Sequence, residues 1–175
     1  MNKDDIVKYS ATERLRDLRP VTIRTVRPDD KGLVIEALPG VSPESIQRRL
    51  FTSRKEITAD DLKWITEIDF MNVAGLVALL RKEGHYHIVG RGRYIRSGAS
   101  VYGQRAEAAF LAEDAFQGLV IASLIFRHLV TIAGRSGITE FEAEVLPTNE
   151  AMQKVFTREV ACPSRELLRA IPSIS

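Results

Sequence analysis

The strongest constraint on the fold is a double change of hydrophobic period between residues 105 and 146. Residues 105–112 alternate, with Glu107, Ala109 and Leu111 on one side and Ala108, Phe110 and Ala112 on the other, which predicts a strand. From about 118 to 135 the apolar residues Leu119, Ala122, Ile125, Leu129 and Ile132 recur at three or four, the period of a helix, and Gly137 supplies the stop. Residues 139–146 alternate again, Phe141, Ala143 and Val145 against Glu140, Glu142 and Glu144, until Pro147 ends the strand. A strand that feeds a tight turn into a helix N-terminus aims several unpaired N–H groups at one spot, and the helix dipole adds positive potential there. Gln117-Gly118 marks that turn, and the first helical turn carries no acidic residue to compete for those donors. Taken alone the signal is weak, because the same arrangement also serves as plain connectivity.

The flanking segments supply further elements. Residues 11–27 alternate and read as a short hairpin or a single strand. Asp29 or Asp30 can cap a helix reaching about Leu38, Pro39-Gly40 breaks it, and Ser42-Pro43-Glu44 opens another that ends near Leu50. Thr58-Ala59-Asp60-Asp61 opens a third, with Leu62, Ile65 and Ile68 on one face and Trp64 expected as a core anchor. Strands over 72–81 and 86–96 meet at a Glu83-Gly84 turn, and the Gly/Ser-rich piece 97–103 reads as a loop. A last helix over 149–159 precedes a tail that can pair as a final strand. With no linker and no repeat, residues 1–175 are expected to form one α/β (α+β) domain.

Composition narrows the function classes. A chain of 175 residues buries roughly 70% of its unfolded surface, enough for one core without disulfides or structural metal. No apolar run approaches the roughly 20 residues of a membrane helix. The opening MNKDDIVKYS lacks the apolar region of a signal peptide, so a cytoplasmic location is expected. The single cysteine, Cys162, rules out an intramolecular disulfide and a cysteine zinc cluster. His85 and His87 share a strand face, but no carboxylate or cysteine stands at a matching spacing, so no metal site is expected. The formal net charge of +2 conceals an uneven distribution, with six basic residues against one acidic over 81–105 and two against seven over 106–150. The basic stretch interleaves Tyr86, Tyr94 and Tyr102, as a single-stranded nucleic-acid surface does. Arginines alternating with apolar residues more often form a solvated sheet face, and nucleic acid is not the expected partner.

Glu113-Asp114-Ala115-Phe116-Gln117-Gly118, the helix end Ala133-Gly134-Arg135-Ser136-Gly137-Ile138, and Asn149-Glu150-Ala151-Met152 together resemble the coenzyme A-binding core of the GNAT acetyltransferase superfamily. RAEAAFLAEDAFQG, FEAEVLPTNEAM and the opening LRDLRPVTIRTVRPDD are most similar to the bacterial protein lysine acetyltransferases, over about residues 13–158. The resemblance implies a GNAT fold, a mixed and mostly antiparallel central sheet flanked by helices and splayed between its fourth and fifth strands, where acyl-CoA inserts. It implies acetyl-CoA as acyl donor and an amine, a protein lysine, as acceptor. The backbone of Phe110, Leu111 and Ala112 would pair with the pantetheine arm, Gln117, Gly118, Leu119, Val120, Ile121 and Ala122 would form the pyrophosphate turn, and Asn149 would contact the cofactor. Glu107, ten residues before Gln117, matches the family's general base, and burial at the sheet centre would raise its pKa. Without the resemblance Glu107 reads as an exposed carboxylate paired with Arg105 or Arg93. The acidic Glu140, Glu142 and Glu144 would attract a cationic acceptor.

Three positions depart from the family pattern. Val120 stands where glycine lets the backbone approach the pyrophosphate, Phe156 stands where many members carry a tyrosine that protonates the leaving thiolate, and Val160-Ala161-Cys162-Pro163 replaces a Gly-Phe pair. These departures support an alternative, a catalytically degenerate GNAT-fold binding or regulatory module.

Overall fold

The computed structural model describes residues 3–40, 57–100, 103–112, 120–144 and 169–173. A short helix, α1 (Lys3–Val7), leads into β1 (Ser10–Arg14), which pairs antiparallel with β2 (Pro20–Thr25), so the opening alternation becomes a hairpin. A 3-10 turn, Pro28–Asp30, then runs into α2 (Lys31–Ala37). Arg24 on β2 grips Asp30 with two parallel bonds of 2.8 and 2.7 Å, and Asp30 also accepts the Arg27 N–H at 2.8 Å. Because both side chains are largely buried, this two-pronged pair fixes the strand-to-helix corner more than it adds net stability.

Helix α3 (Ala59–Thr66) begins at the predicted place. The Asp61 N–H donates to Thr58 Oγ1 at 3.2 Å while the Asp61 carboxylate accepts the Thr58 N–H at 2.8 Å, a reciprocal capping box. The approach to the next strand is organised by exposed Asp69, whose carboxylate accepts the N–H groups of Met71, Asn72 and Val73 at 2.8–3.0 Å and the Asn72 side-chain amide at 2.8 Å. Burial pulls the Asp69 pKa upward, but the Val73, Asn72 and Met71 bonds outweigh it and hold the group at about 2. Its folded-state pKa lies below the unfolded value, so its contribution to stability is complete above about pH 4 and fades as pH falls towards 2. Asp69→Ala is expected to cost roughly 1 kcal/mol, about 2–4 °C in Tm, at neutral pH. Thermal unfolding between pH 7 and pH 2 should show the gap to wild type closing only below pH 4.

Strands β3 (Val73–Lys82) and β4 (His85–Ser100) meet at Glu83-Gly84, where both residues take positive φ, 52° and 86°. The segment expected as a loop over 97–103 is instead mostly ladder. Gly98, Ala99 and Ser100 pair with Arg105, Gln104 and Gly103 of β5 (Gly103–Ala112), after a bulge between Arg96 and Gly98. Gly98 at φ 133° lets β4 absorb the irregularity and continue.

Helix α4 (Ile121–Arg135), β6 (Ile138–Glu144) and β7 (Arg169–Ser173) complete the described chain. The seven strands lie in chain order in one sheet, antiparallel from β1 to β5 and parallel at β5–β6 and β6–β7. This is the mixed, mostly antiparallel sheet that the resemblance implied, with the tail as its last strand. On one face α4 buries Ile121, Ile125, Phe126, Leu129 and Ile132 against the sheet, and on the other α2 and α3 bring Val34 and Ile65 against Val77, Leu79 and Ile88. Covered on both sides, β3 is apolar almost throughout instead of alternating. A Cβ at Gly92 would lie 2.5 Å from Ile125 and 2.7 Å from Phe110, so glycine is what allows α4 to seat on β4.

His128, expected at the surface or in packing, is buried on α4. Its Nδ1 bonds the Tyr9 hydroxyl at 2.5 Å and its Nε2 bonds the Glu13 carboxylate at 3.1 Å, tying the N-terminal hairpin to the helix. Arg127 adds a 2.9 Å ion pair to the same Glu13. The helices expected over 43–50 and 149–159 lie outside the described residues. Among those described, no helix is long and apolar enough to cross a membrane.

Candidate active site

Parallel pairing of β5 with β6 runs only from Gln104↔Ile138 to Glu107↔Glu142. Beyond Glu107, β5 stays paired with β4 as far as Gly90↔Ala112 but has no partner on β6 among the described residues. The opening hairpin contributes two strands, so the predicted fourth and fifth strands are β5 and β6, and the ladder parts where the splay was expected. Backbone N–H and C=O groups along one edge of residues 108–112 thus face away from any described strand. Such groups require partners when shielded from water, which suits an extended ligand carrying amides of its own. The Phe110 side chain turns away from this edge, packed at 5.4 Å edge-to-face on Phe126, so only its backbone is offered. Leu111 and Ala112 continue the same edge.

Val120 forms the N-cap of α4 with φ 73° and ψ 9°, the left-handed region. A β-branched residue is strained there, by about 1–2 kcal/mol, because its Cβ crowds the backbone carbonyl. Glycine would adopt this conformation without cost, so the backbone keeps the geometry of a glycine turn although the side chain is valine. No acidic residue occupies the first turn of α4, leaving the positive end of the helix uncompensated within that turn. Ile121 is fully buried in the core and Ala122 is half-buried, so these two shape the turn through their backbone and small bulk. Gln117, Gly118, Leu119 and Asn149, and with them Phe156 and Cys162, lie outside the described residues.

Glu107 sits at the point where the β5–β6 ladder ends, opposite Ile95 on β4 and Glu142 on β6. The expectation of burial is not met: Glu107 is exposed, because no helix among the described elements covers this end of β5 on that face. The pairing with Arg105 is not made either. Arg105 bonds Glu140 at 3.3 Å and Glu142 at 2.9 Å, and Glu107 has no hydrogen-bond or ion-pair partner among the described residues. Arg105 is thus shared between Glu140 and Glu142 and offsets only one of their two charges.

Three residues of the basic stretch are tied to neighbours within the fold. Arg96 bonds the carbonyls of Met71 and Ser136 at 2.8 and 2.6 Å, Arg105 is held between glutamates, and Tyr94 is buried edge-on to Phe141. Burial raises the Tyr94 pKa, and its hydroxyl bonds Ser136 at the C-terminal end of α4, remote from the turn at Val120. Tyr94 therefore cannot stand in for the leaving-group acid that Phe156 fails to provide. His85 is exposed, and the described residues contain no group of three metal-ligating side chains.

Beside the splay, on the face covered by α2 and α3, lies a cleft of about 460 Å³ counting its open side. Val26, Ile65, Val77 and Ala109 give it apolar walls, Gly75 lies among them, and Arg91 and Arg93 bring charge. Trp64 is not the core anchor expected from its helix. It is 45% exposed at the edge of the cleft, with the Arg93 guanidinium carbon 3.3 Å from its ring centroid. The sequence analysis named Arg93 only as a partner for Glu107 and passed over Arg91, although spacings of two and four residues from Ile95 place both on the face of Glu107.

No family model matches the chain. An acetyltransferase of Pseudomonas aeruginosa is 29% identical over 141 residues, 81% of this chain and 74% of that protein. Acetyltransferase Pat of Mycolicibacterium smegmatis is 31% identical over 160 residues, 87% of this chain but 46% of that protein, so the chain spans about half the length of this relative. Among solved structures, the GNAT domain of S. lividans PAT superposes with a TM-score of 0.74 at 34% identity, covering 86% of each chain.

Proposed function

Because the chain belongs to the GNAT acetyltransferase family, we propose that it moves an acetyl group from acetyl-CoA to an amine, and that this amine is a protein lysine. The observation that carries the reading is the interrupted β5–β6 ladder with Glu107 at its apex. An edge of strand backbone with no described partner, followed in the chain by a helix whose first turn carries no acidic residue, suits a ligand that is an amide-bearing arm at one end and a pyrophosphate at the other. Bound there, acetyl-CoA would supply an activated thioester.

The chain's own groups then have distinct tasks. The backbone edge of Phe110, Leu111 and Ala112 holds the arm, and the turn at Val120, Ile121 and Ala122 receives the pyrophosphate, with Gln117, Gly118 and Leu119 preceding it. N–H groups on the open edge of β5 meet the negative charge that develops on the thioester oxygen as the amine attacks. The Glu107 carboxylate takes the proton that the amine nitrogen loses, directly or through water, as its solvent exposure permits. Phe156 carries no proton to donate, and we assign the departing thiolate's proton to water.

A second reading has one specific observation behind it. The strained Val120 side chain stands where a pyrophosphate must approach closely, which favours a scaffold that binds a partner without turnover. The experiment that separates the two is mass spectrometry of lysine-bearing proteins incubated with acetyl-CoA and either wild-type chain or Glu107→Gln. Transfer by the first and its loss in the second support the enzyme. Absence of transfer by both supports the module.

A further inference from the structure

We infer that the cleft beside β5 is a subsite for the acyl chain, and that the protein binds and transfers a straight, apolar acyl group of about four carbons as well as acetyl. The inference rests on the proposed coenzyme A site for the position of the thioester, but its own basis is the shape and lining of the cleft. One row of residues across three strands reads Gly75 on β3, Arg93 on β4 and Ala109 on β5. Two of the three carry at most a methyl group, and the Arg93 guanidinium is drawn aside onto the Trp64 ring at 3.3 Å. The row is therefore a trough, walled by Val26, Ile65 and Val77, with Trp64 at its outer rim. A Cβ at Gly75 would lie 3.1 Å from Ile68 and 3.3 Å from Val26, so glycine keeps the inner end open.

The trough ends at Ala109, on the segment of β5 that has no partner on β6 among the described residues. An arm lying along that edge, with its pyrophosphate toward α4, brings its sulfur end past Ala109 toward Glu107. The acyl group then meets the mouth of the trough, and methylenes beyond the acetyl group exchange water for apolar walls. Arg93 and Arg91 are both engaged already, so the cleft selects for an apolar chain and not for charge. The chemical step is that of acetyl transfer. The amine nitrogen bonds the acyl carbon and the carbon–sulfur bond breaks. The proton lost by the nitrogen passes to Glu107 and on to solvent, and coenzyme A leaves as the thiol with a proton from water.

The test is calorimetric titration of the whole chain with coenzyme A, acetyl-CoA, butyryl-CoA and succinyl-CoA. Each buried methylene contributes roughly a fourfold gain, so butyryl-CoA should bind about tenfold tighter than acetyl-CoA, and succinyl-CoA no tighter than acetyl-CoA. In Ala109→Leu the larger side chain fills the mouth, and the butyryl-to-acetyl ratio measured within that variant should fall below about twofold. Trp64 is 45% exposed, so Trp64→Ala keeps the core intact while opening the rim to water, and it should cut the ratio to about threefold or less. Equal binding of acetyl-CoA and butyryl-CoA, succinyl-CoA matching butyryl-CoA, or a ratio that survives both substitutions would overturn the subsite. Exclusive transfer of acetyl to a lysine peptide from an equimolar mixture of acetyl-CoA and butyryl-CoA would do the same. Titration with coenzyme A itself separates this inference from the reading beneath it. Binding of coenzyme A and acetyl-CoA with no gain for butyryl-CoA removes the subsite and leaves acetyl transfer standing, whereas no binding of any of the four removes both.

Discussion

Val120→Gly is expected to raise both the thermal stability of the chain and its affinity for acetyl-CoA. Valine at φ 73° stores about 1–2 kcal/mol of strain that glycine releases, against roughly 0.5–1 kcal/mol lost to the greater freedom of glycine in the unfolded chain. The net gain is then up to about 1.5 kcal/mol, a rise in Tm of roughly 6 °C at most for a chain of this size. Affinity should gain more. Removing the branched side chain opens the approach of a pyrophosphate to the N–H groups at the start of α4, for which we expect at least about tenfold tighter binding, equivalent to about 1.4 kcal/mol. Val120→Ala separates the contributions: it removes the branch but keeps a Cβ in the left-handed region, so most of the affinity gain should appear without the stability gain. Calorimetric titration with acetyl-CoA and thermal unfolding of the three proteins are the readouts. Unchanged affinity in both variants would mean that Val120 does not border the pyrophosphate.

Glu107→Gln carries the largest kinetic effect. A positioned general base contributes about 10²–10⁴-fold, and glutamine keeps the size and polarity of glutamate while removing its ability to take a proton. We expect kcat to fall by at least about 100-fold and acetyl-CoA affinity to stay within about twofold. Because Glu107 is exposed and has no partner among the described residues, the substitution should leave Tm within about 2 °C. A variant that keeps wild-type rates across pH would place the base elsewhere.

Periodicity was informative wherever one face of an element is buried. The capping box at Thr58 and Asp61, the Glu83-Gly84 turn and the apolar stripe of α4 were each legible, since local backbone demands and burial agree there. The segment 97–103 was not. Its glycines and serines resemble a loop because a long hairpin end makes few side-chain demands, while its register is that of a backbone ladder. Trp64 misled for a related reason: a helix period locates an aromatic beside the apolar stripe, but only the tertiary fold brings Arg93 over its ring. Glu107 was read as a strand residue and lies on β5, yet its expected burial depended on what covers that strand, and sequence spacing carries no information about that. Likewise, nothing in the spacing of Glu140 and Glu142 revealed that Arg105 would hold both.

The central claim is that the opened β5–β6 ladder and the turn at Val120 form an acetyl-CoA site in the unmodified chain. Thermal unfolding with and without acetyl-CoA measures it most directly. At about 100 times its dissociation constant the ligand should add roughly 2.7 kcal/mol, an upward shift of about 5–10 °C, and a larger one for Val120→Gly at the same concentration. No shift in the wild-type chain, with a calorimetric titration equally flat, would contradict the account and leave a GNAT scaffold whose turn is closed by valine.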